Sequence, residues 1–262
     1  MILPVAVLLT VTCLLGLAVG SFLNVVVYRV PRGESLVTPG SRCPSCGRPV
    51  RARHNVPVLG WLVLRGRCAD CGAPIGGRYP LVEAATGLVF PAVALRLSQL
   101  HLLSALPAYL YFAAAGIALA LIDLDVRRLP NSIVLPSYPV LAALLAGSAV
   151  WQHHWWSLAR AAIGAAALLG CYLAVALAYP AGMQFGDVKL AGIVGGVLAY
   201  LSWSTLLIGA FGAFVLGSVV GLAVIASGRG GRKTALPFGP FMIAAAILAM
   251  FVAEPVARLV WG

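Results

Sequence analysis

The chain contains little charge, and acidic residues are especially rare. Only 10% of its 262 residues are charged, with seven Asp or Glu against 18 Lys or Arg, whereas 61% are hydrophobic. Soluble domains carry about 25% charged residues, so this composition excludes a soluble domain and indicates a membrane protein with several spans. Acidic residues at the edge of a membrane span are costly to place, so each of the few present is a candidate functional residue.

Several other signals are missing. No basic residue precedes the first apolar run, residues 2–27, which is about as long as a full span. We therefore predict a retained helix and not a cleaved secretory signal. The chain has no HExxH zinc-peptidase motif, and its Ser and Cys residues lack a buried His partner, which disfavours metal-dependent and nucleophile-based hydrolysis.

The long apolar runs predict an all-α polytopic membrane protein with about eight transmembrane helices in a single bundle. Runs of roughly 17 to 25 apolar residues are long enough to span a bilayer as helices. Seven such runs and one shorter run occur, at residues 2–27, 81–97, 104–122, 132–150, 158–180, 188–201, 205–227 and 237–260.

The basic residues predict the orientation of these spans. With an even number of spans and both termini outside, 15 of the 18 basic residues fall in inner loops, as the positive-inside rule favours. The net charge of +11 is thus a topology signal of a protein in a lipid bilayer, and no nucleic-acid partner is needed to explain it. Only Arg96, Arg160 and Arg258 fall outside; the inner residues are Arg29, Arg32, Arg42, Arg48, Arg51, Arg53, Arg65, Arg67, Arg78, Arg127, Arg128, Lys189, Arg229, Arg232 and Lys233.

One insertion, residues 30–80, has the composition of an extramembrane module. It contains two CxxC pairs, Cys43 with Cys46 and Cys68 with Cys71, separated by 21 residues. This spacing is typical of four-thiolate zinc sites, and such a site without an open position for water is structural. Disulfides and unligated thiols are the alternatives, but thiols stay reduced on the predicted cytoplasmic side. We expect zinc to supply folding energy to this small module.

Two aspartates, Asp123 and Asp187, stand at the ends of apolar runs that reach the same predicted inner face. Two close carboxylates cannot both ionise cheaply, so one stays protonated while the other acts as a base toward water. This predicts aspartic-peptidase chemistry, with Asp125 in a supporting or solvated role. The alternative, equally open from spacing, is that these aspartates form ion pairs with Arg127, Arg128 and Lys189.

Polar residues also interrupt the first and second spans. Asn24 lies within an apolar run, where we favour a structural hydrogen bond to a neighbouring helix. Glu83 lies just inside the second span; it pairs with Arg78 or Arg29, or it lines a substrate groove, and the sequence leaves these alternatives open.

In their order and spacing, these motifs resemble the type IV prepilin peptidase family, the leader peptidases and N-methyltransferases of type IV pilins and type II secretion pseudopilins. The resemblance covers nearly the whole chain and includes Gly20-Ser21-Phe22-Leu23-Asn24 with Tyr28-Arg29, the four cysteines, Asn55-Val56-Pro57, Trp61, Leu64-Arg65-Gly66-Arg67-Cys68, Arg78-Tyr79-Pro80 with Glu83, Ile122-Asp123-Leu124-Asp125, Leu129-Pro130-Asn131, Gly186-Asp187-Val188-Lys189-Leu190 and Pro237-Phe238-Gly239-Pro240-Phe241.

The resemblance implies catalytic roles for Asp123 and Asp187. It also implies cleavage at the cytoplasmic side of the inner membrane, after the glycine that ends a short basic leader, followed by methylation of the new N-terminus from S-adenosylmethionine. Gly186 and Lys189 belong to the second motif and are candidate supporting residues. That motif usually reads Gly-x-Gly-Asp, and Gln184 occupies the first glycine position, so we expect an active enzyme with an altered local turn.

The resemblance assigns no methyltransferase residues, and the chain has no Rossmann-type glycine fingerprint. We expect three parts: a first transmembrane helix at 1–29, a zinc module at 30–80 and a catalytic membrane core at 81–262. A local acid, Glu83 or Asp125, is expected to receive the basic leader. The alternatives are a membrane scaffold or transporter with a zinc docking module, and a peptidase without methyltransferase activity.

Overall fold

A computed structural model describes residues 4–180, 183–228 and 236–261, with side chains to residue 256. Within these ranges the chain forms nine α-helices, and its β structure is limited to two isolated bridges, Arg42 with Pro49 and Arg67 with Pro74. The helices are α1 (Val5–Arg29), α2 (Leu59–Val63), α3 (Arg78–Gln99), α4 (Leu106–Val126), α5 (Asn131–Gln152), α6 (Trp155–Ala178), α7 (Phe185–Leu201), α8 (Trp203–Ala226) and α9 (Gly239–Trp261).

The prediction of an all-helical, multi-pass membrane protein is confirmed. Seven of the helices in the described ranges are long and apolar enough to cross a bilayer, and each matches a predicted span. The eighth predicted span, residues 188–201, corresponds to α7, whose 17 residues extend about 26 Å. This is shorter than the other long helices, and twelve of these residues are buried, so α7 lies inside its bundle.

The chain divides into two compact units, residues 1–103 and 104–262. In the first unit α1 packs closely on α3 because small residues line the contact. A Cβ added at Gly20 would lie 2.7 Å from the Cα of Glu83, and one at Gly16 would lie 3.0 Å from the Cα of Gly87. Such close approach of helix backbones is the usual packing mode in membranes. The four-cysteine module and α2 connect these two helices.

The second unit is built around α7. Gly164 of α6 and Gly195 of α7 let these two helices touch backbone to backbone. The Tyr138 hydroxyl of α5 donates to the Lys189 carbonyl of α7 at 2.6 Å. By contrast, α8 has only 11% of its apolar stretch buried and is the least buried span among the described residues. The helix α7 is therefore the fixed centre of the unit, and the site described below lies at its N-terminus.

The helix ends of the second unit separate its basic residues. Arg127 ends α4 with a left-handed backbone (φ 52°), and Arg128 follows it, near the start of α7 with Lys189. Arg160 lies at the other end, where its guanidinium donates to the carbonyls of Tyr200 and Leu201 at 2.6 and 2.8 Å and to that of Ala199. The sequence places these two groups of basic residues on opposite sides of the bilayer, and which side each faces stays a prediction. The predicted inner residues Arg229, Arg232 and Lys233 and the side chain of Arg258 lie outside the described residues.

Candidate active site and metal centre

Asp123 lies in the last turn of α4 and is 3% exposed. Its Oδ2 accepts a hydrogen bond from the backbone N–H of Gly239 at 3.1 Å. Gly239 is the first residue of α9 and is 116 positions away in the chain. The N-terminal N–H groups of a helix lack partners within the helix and attract negative charge. The start of α9 therefore fixes one oxygen of this buried carboxylate.

The position of Gly239 requires a residue without a side chain. A Cβ added there would lie 2.8 Å from Asp123 Oδ2. The preceding residue, Phe238, packs its ring against those of Phe214 and Tyr172, with centroids 5.1 and 6.1 Å apart. This aromatic cluster holds the start of α9 in place. The sequence predicted no role for Gly239 within the Pro-Phe-Gly-Pro motif; its Gly-Pro pair is the local signal of a helix start there.

Asp187 lies in the first turn of α7 and is 6% exposed. It forms a capping box with Gln184, the residue before the helix. The Gln184 side chain accepts from the Asp187 backbone N–H, and Asp187 Oδ2 accepts from the Gln184 N–H at 3.3 Å. Gln184 has an extended backbone (φ −85°, ψ 149°) that any residue adopts. Glycine is therefore not needed here, and the Gln-x-x-Asp pattern was a readable capping signal.

The two aspartates meet at one end of the second unit. Leu129, in the loop between α4 and α5, lies beside both helix starts: a Cβ added at Gly186 would be 3.1 Å from Leu129 Cβ, and one at Gly239 would be 3.4 Å from Leu129 Cδ2. The carboxylates of Asp123 and Asp187 repel each other electrostatically. Each is held through Oδ2 by a backbone N–H at a helix start. The arrangement is therefore a buried, oriented pair of interacting carboxyl groups.

The other candidate residues of this unit lie at the same end. Lys189 donates from Nζ to Asn131 Oδ1 at 3.0 Å, so its ammonium group holds the start of α5. Gly186 packs on Leu129. Asp125, two residues after the buried Asp123, is exposed, as expected for positions on different faces of a helix. The alternative of ion pairs is not what holds Asp123 and Asp187, whose oxygens are bound by backbone amides.

The four cysteines of the first unit form one cluster. Their Sγ atoms all lie within 4.8 Å of one another, and those of Cys43 and Cys71 are 3.8 Å apart. Four sulfurs bound tetrahedrally at 2.3 Å from a zinc ion would be about 3.8 Å apart. A disulfide would need a separation of about 2.05 Å. The spacing therefore fits a four-thiolate metal site.

Two matching loops build this cluster. Each follows the pattern Arg-Cys-x-x-Cys-Gly-x-Pro, at residues 42–49 and 67–74. Gly47 and Gly72 adopt φ values of 69° and 71°, where glycine is favoured, and their N–H groups donate to the carbonyls of Cys43 and Cys68. Asp70 ties the loops together because it accepts from Arg51 at 2.8 Å and lies 3.4 Å from Arg48. No signal in the sequence singled out Asp70.

The thiols of the cluster differ in acidity. Hydrogen bonds from the backbone of Cys46 and Ser45 favour the thiolate and lower the pKa of Cys43 to about 6. A hydrogen bond from the backbone of Ala73 favours the Cys71 thiolate, but partial desolvation and the neighbouring sulfurs outweigh it and raise the pKa of Cys71 to about 12. Because the pKa of the Cys71 thiol lies near 12, a cation that bound this thiolate would displace its proton.

Asn24 and Glu83 both serve contacts within the first unit. Asn24 donates from Nδ2 to the Tyr79 carbonyl at 3.1 Å, which joins α1 to the start of α3. Glu83 Oε2 accepts the backbone N–H of Val58 at 2.7 Å. Arg29, one of the partners considered for Glu83, donates to the carbonyls of Ser35 and Pro39. Asn24 thus makes a hydrogen bond between helices, in line with its expected structural role, and Glu83 binds a backbone amide.

Two family models match the chain. The bacterial peptidase A24 N-terminal domain matches residues 14–97, and the type IV leader peptidase family matches residues 110–222. The first match contains the four cysteines, and the second contains both buried aspartates. The boundary between the two matches lies close to the division between the two compact units.

Curated relatives cover most of the chain. A prepilin leader peptidase/N-methyltransferase of Burkholderia pseudomallei (strain 1026b) is 36% identical over 99% of this chain and 90% of its own length. Relatives with the same name from Pseudomonas putida and Myxococcus xanthus (strain DK1622) are 34% and 40% identical, over 92% and 84% of this chain and 90% and 64% of their own lengths. No solved structure matches the chain.

Proposed function

The chain belongs to the type IV leader peptidase family, as a peptidase with methyltransferase activity, and we propose that it cleaves type IV prepilins or type II secretion pseudopilins as a membrane aspartic endopeptidase. The observation that carries this proposal is the pair of buried carboxyl groups, Asp123 and Asp187, each fixed through Oδ2 by a backbone amide. Cleavage follows the glycine that ends the basic leader, and methylation of the new N-terminus follows cleavage.

In this mechanism the two carboxyl groups share one proton, because two repelling carboxylates in a buried site cannot both ionise cheaply. The ionised carboxylate takes a proton from a water molecule, and the oxygen of that water attacks the scissile carbonyl carbon. The protonated group gives its proton to the carbonyl oxygen. The carboxyl group that took the proton from water then gives it to the amide nitrogen as the carbon–nitrogen bond breaks, and the other carboxylate takes back a hydroxyl proton. These transfers release the leader carboxylic acid and a new amine and restore the shared proton.

The amides at the starts of α7 and α9 orient this pair. Since Gly239 and Gln184 bind the Oδ2 atoms, we assign the water-facing role to the Oδ1 atoms. Positioned groups of this kind reduce the reorganisation that the reaction would otherwise need. The helix starts also place partial positive charge beside a site that carries one negative charge.

The basic leader needs an acidic receptor on a protein whose loops are basic. We assign this role first to Asp125, which is exposed two residues from Asp123. Glu83 remains the second candidate, although its Oε2 also holds the Val58 amide. If charge reversal at both positions left processing of basic-leader substrates unchanged, this assignment would be wrong.

We propose zinc in the four-cysteine cluster. Cys43, Cys46, Cys68 and Cys71 would hold it, and it would stabilise the fold of the module without an open coordination position for catalysis. S-adenosylmethionine is the methyl donor that family membership implies, and we assign no residue of this chain to it. The enzyme lies in the cytoplasmic (inner) membrane with its catalytic end at the cytoplasmic face. The positive-inside rule supports this orientation, because most basic residues belong to loops predicted on that side.

The deciding experiment is cleavage of a basic-leader prepilin by purified enzyme in lipid nanodiscs. Wild type is compared with Asp123→Asn, Asp187→Asn and the matched control Asp125→Asn. We expect cleavage to be lost in the first two variants, whereas Asp125→Asn should keep its kcat and bind the basic leader more weakly. Full activity in Asp123→Asn or Asp187→Asn would overturn the mechanism, and an intact wild type without any cleaved product would favour a membrane scaffold or transporter.

A further inference from the structure

The short helix α2 exposes three large apolar side chains in the extramembrane part of the chain. Leu59, Leu62 and Val63 are 59%, 54% and 76% exposed, and we call them the α2 apolar face. They make up three of the five residues of this helix. A cluster of exposed apolar side chains in an otherwise polar segment marks a surface that contacts a protein or a lipid membrane.

The α2 segment is held rigidly from both sides. At its start Val58 has a φ of 61°, which is rare for a β-branched residue and persists only where the surroundings impose it. The Val58 N–H donates to Glu83 Oε2 of α3 at 2.7 Å. On the other side Trp61 donates from Nε1 to the Ile75 carbonyl at 3.0 Å. The α2 apolar face is therefore fixed relative to α3 and to the second cysteine loop.

The contact with Glu83 sets the depth of α2 relative to the bilayer. The candidate span Arg78–Gln99 has 22 residues and extends about 33 Å, close to the hydrocarbon thickness of about 30 Å. Glu83 lies five residues from the start of this span, about 7.5 Å along its axis. Since the Val58 amide reaches the Glu83 carboxylate, α2 begins at the boundary between headgroups and acyl chains. Interfacial amphipathic segments bury their apolar side chains at this depth, about 5–10 Å.

The charge of the module favours an anionic lipid surface over a peptide. Residues 30–77 contain seven arginines and two acidic residues, a net charge of +5. Asp70, one of the two acids, is already bound by Arg48 and Arg51. Basic residues near a membrane surface attract anionic lipids. The same charge repels the basic leader of a prepilin, which makes the substrate a poor occupant for the α2 apolar face.

We propose that the α2 apolar face inserts into the headgroup–acyl boundary of an anionic lipid surface and so anchors the four-cysteine module on the bilayer. Glu83 is then a positioning residue that fixes the depth of this anchor. The proposal is independent of the catalytic assignment, because all the contacts that carry it lie within residues 48–83.

The test is site-specific photocrosslinking in the full-length, metal-loaded protein. The photoreactive residue p-benzoylphenylalanine replaces Leu62 or Val63, and Leu59 provides a further position on the same face. Gly40 is the matched control, since it lies in the same module and a Cβ added there meets no atom within 4 Å. Each variant is placed in nanodiscs of phosphatidylethanolamine with phosphatidylglycerol, with and without prepilin, and adducts are identified by mass spectrometry.

We expect lipid adducts at positions 62 and 63 with a yield several-fold above that at position 40, unchanged by prepilin. Equal lipid adducts at all positions would overturn the proposal. So would adducts at 62 and 63 that contain mainly prepilin or a second copy of the chain. Metal content and prepilin cleavage equal to wild type show that a variant is folded, and the position 59 variant replaces any that is not.

Discussion

Replacing Gly239 with alanine should slow peptide cleavage while leaving the protein folded. The new Cβ would lie 2.8 Å from Asp123 Oδ2, whereas ordinary contacts begin near 3.4 Å. The carboxylate must therefore move by about 0.6 Å, because the other close neighbour, Leu129 Cδ2, already lies at an acceptable 3.4 Å. This movement also strains the hydrogen bond from the Gly239 amide.

The magnitude follows from the tolerance of catalytic geometry. A misplacement of about 1 Å costs roughly 100-fold in rate, so a shift of about half that size should lower kcat by roughly 10- to 100-fold. This corresponds to about 1.4–2.8 kcal/mol of transition-state stabilisation. We expect little change in substrate binding, since the affected oxygen belongs to the catalytic pair.

The assay is single-turnover cleavage of a prepilin in lipid nanodiscs, with the thermal unfolding temperature as a check of folding. Gly170→Ala in α6 is the matched control, because a Cβ added there meets no atom within 4 Å, and it should behave as wild type. If folded Gly239→Ala cleaved at the wild-type rate, the start of α9 would not hold a catalytic carboxyl group. The reasoning about Asp123 would then be refuted.

Three further predictions concern other parts of the chain. Gln184→Ala removes the side-chain half of the capping box and should cost about 1 kcal/mol in the free energy of unfolding, with slower cleavage because Asp187 is less well held; unchanged stability and rate would contradict the role of the cap. Arg160→Met removes the donor that binds the carbonyls at the end of α7, so it should lower the free energy of unfolding in detergent by roughly 3 kcal/mol. An unchanged free energy of unfolding would show that other groups bind these carbonyls. Cys46→Ser should abolish metal binding, seen as loss of zinc by elemental analysis, and should open the module to trypsin; retained zinc with wild-type resistance would contradict the four-thiolate site.

The parts of the fold that the sequence predicted depend on local signals. Each span is a continuous apolar run, and the free energy of transferring such a run into lipid depends on its own residues and not on the helices packed against it. The cysteine cluster was predictable because metal ligands require a narrow range of spacings. The candidate aspartates stood out since so few acidic residues are present at all. The membrane architecture, the four clustered cysteines and the family are confirmed, and the catalytic roles stay a proposal.

The contacts between helices could not be predicted in this way. Lipid is as apolar as the helix surfaces, so hydrophobicity does not distinguish the face of a helix that packs from the face that meets lipid. The sequence by itself determined which segments are helical and which side chains are candidates for chemistry. Only the tertiary structure decided that Gly239, 116 residues away, binds Asp123 and that Glu83 binds the amide of Val58. Those partners are set by the packing of backbones, for which the linear chain carries no local mark.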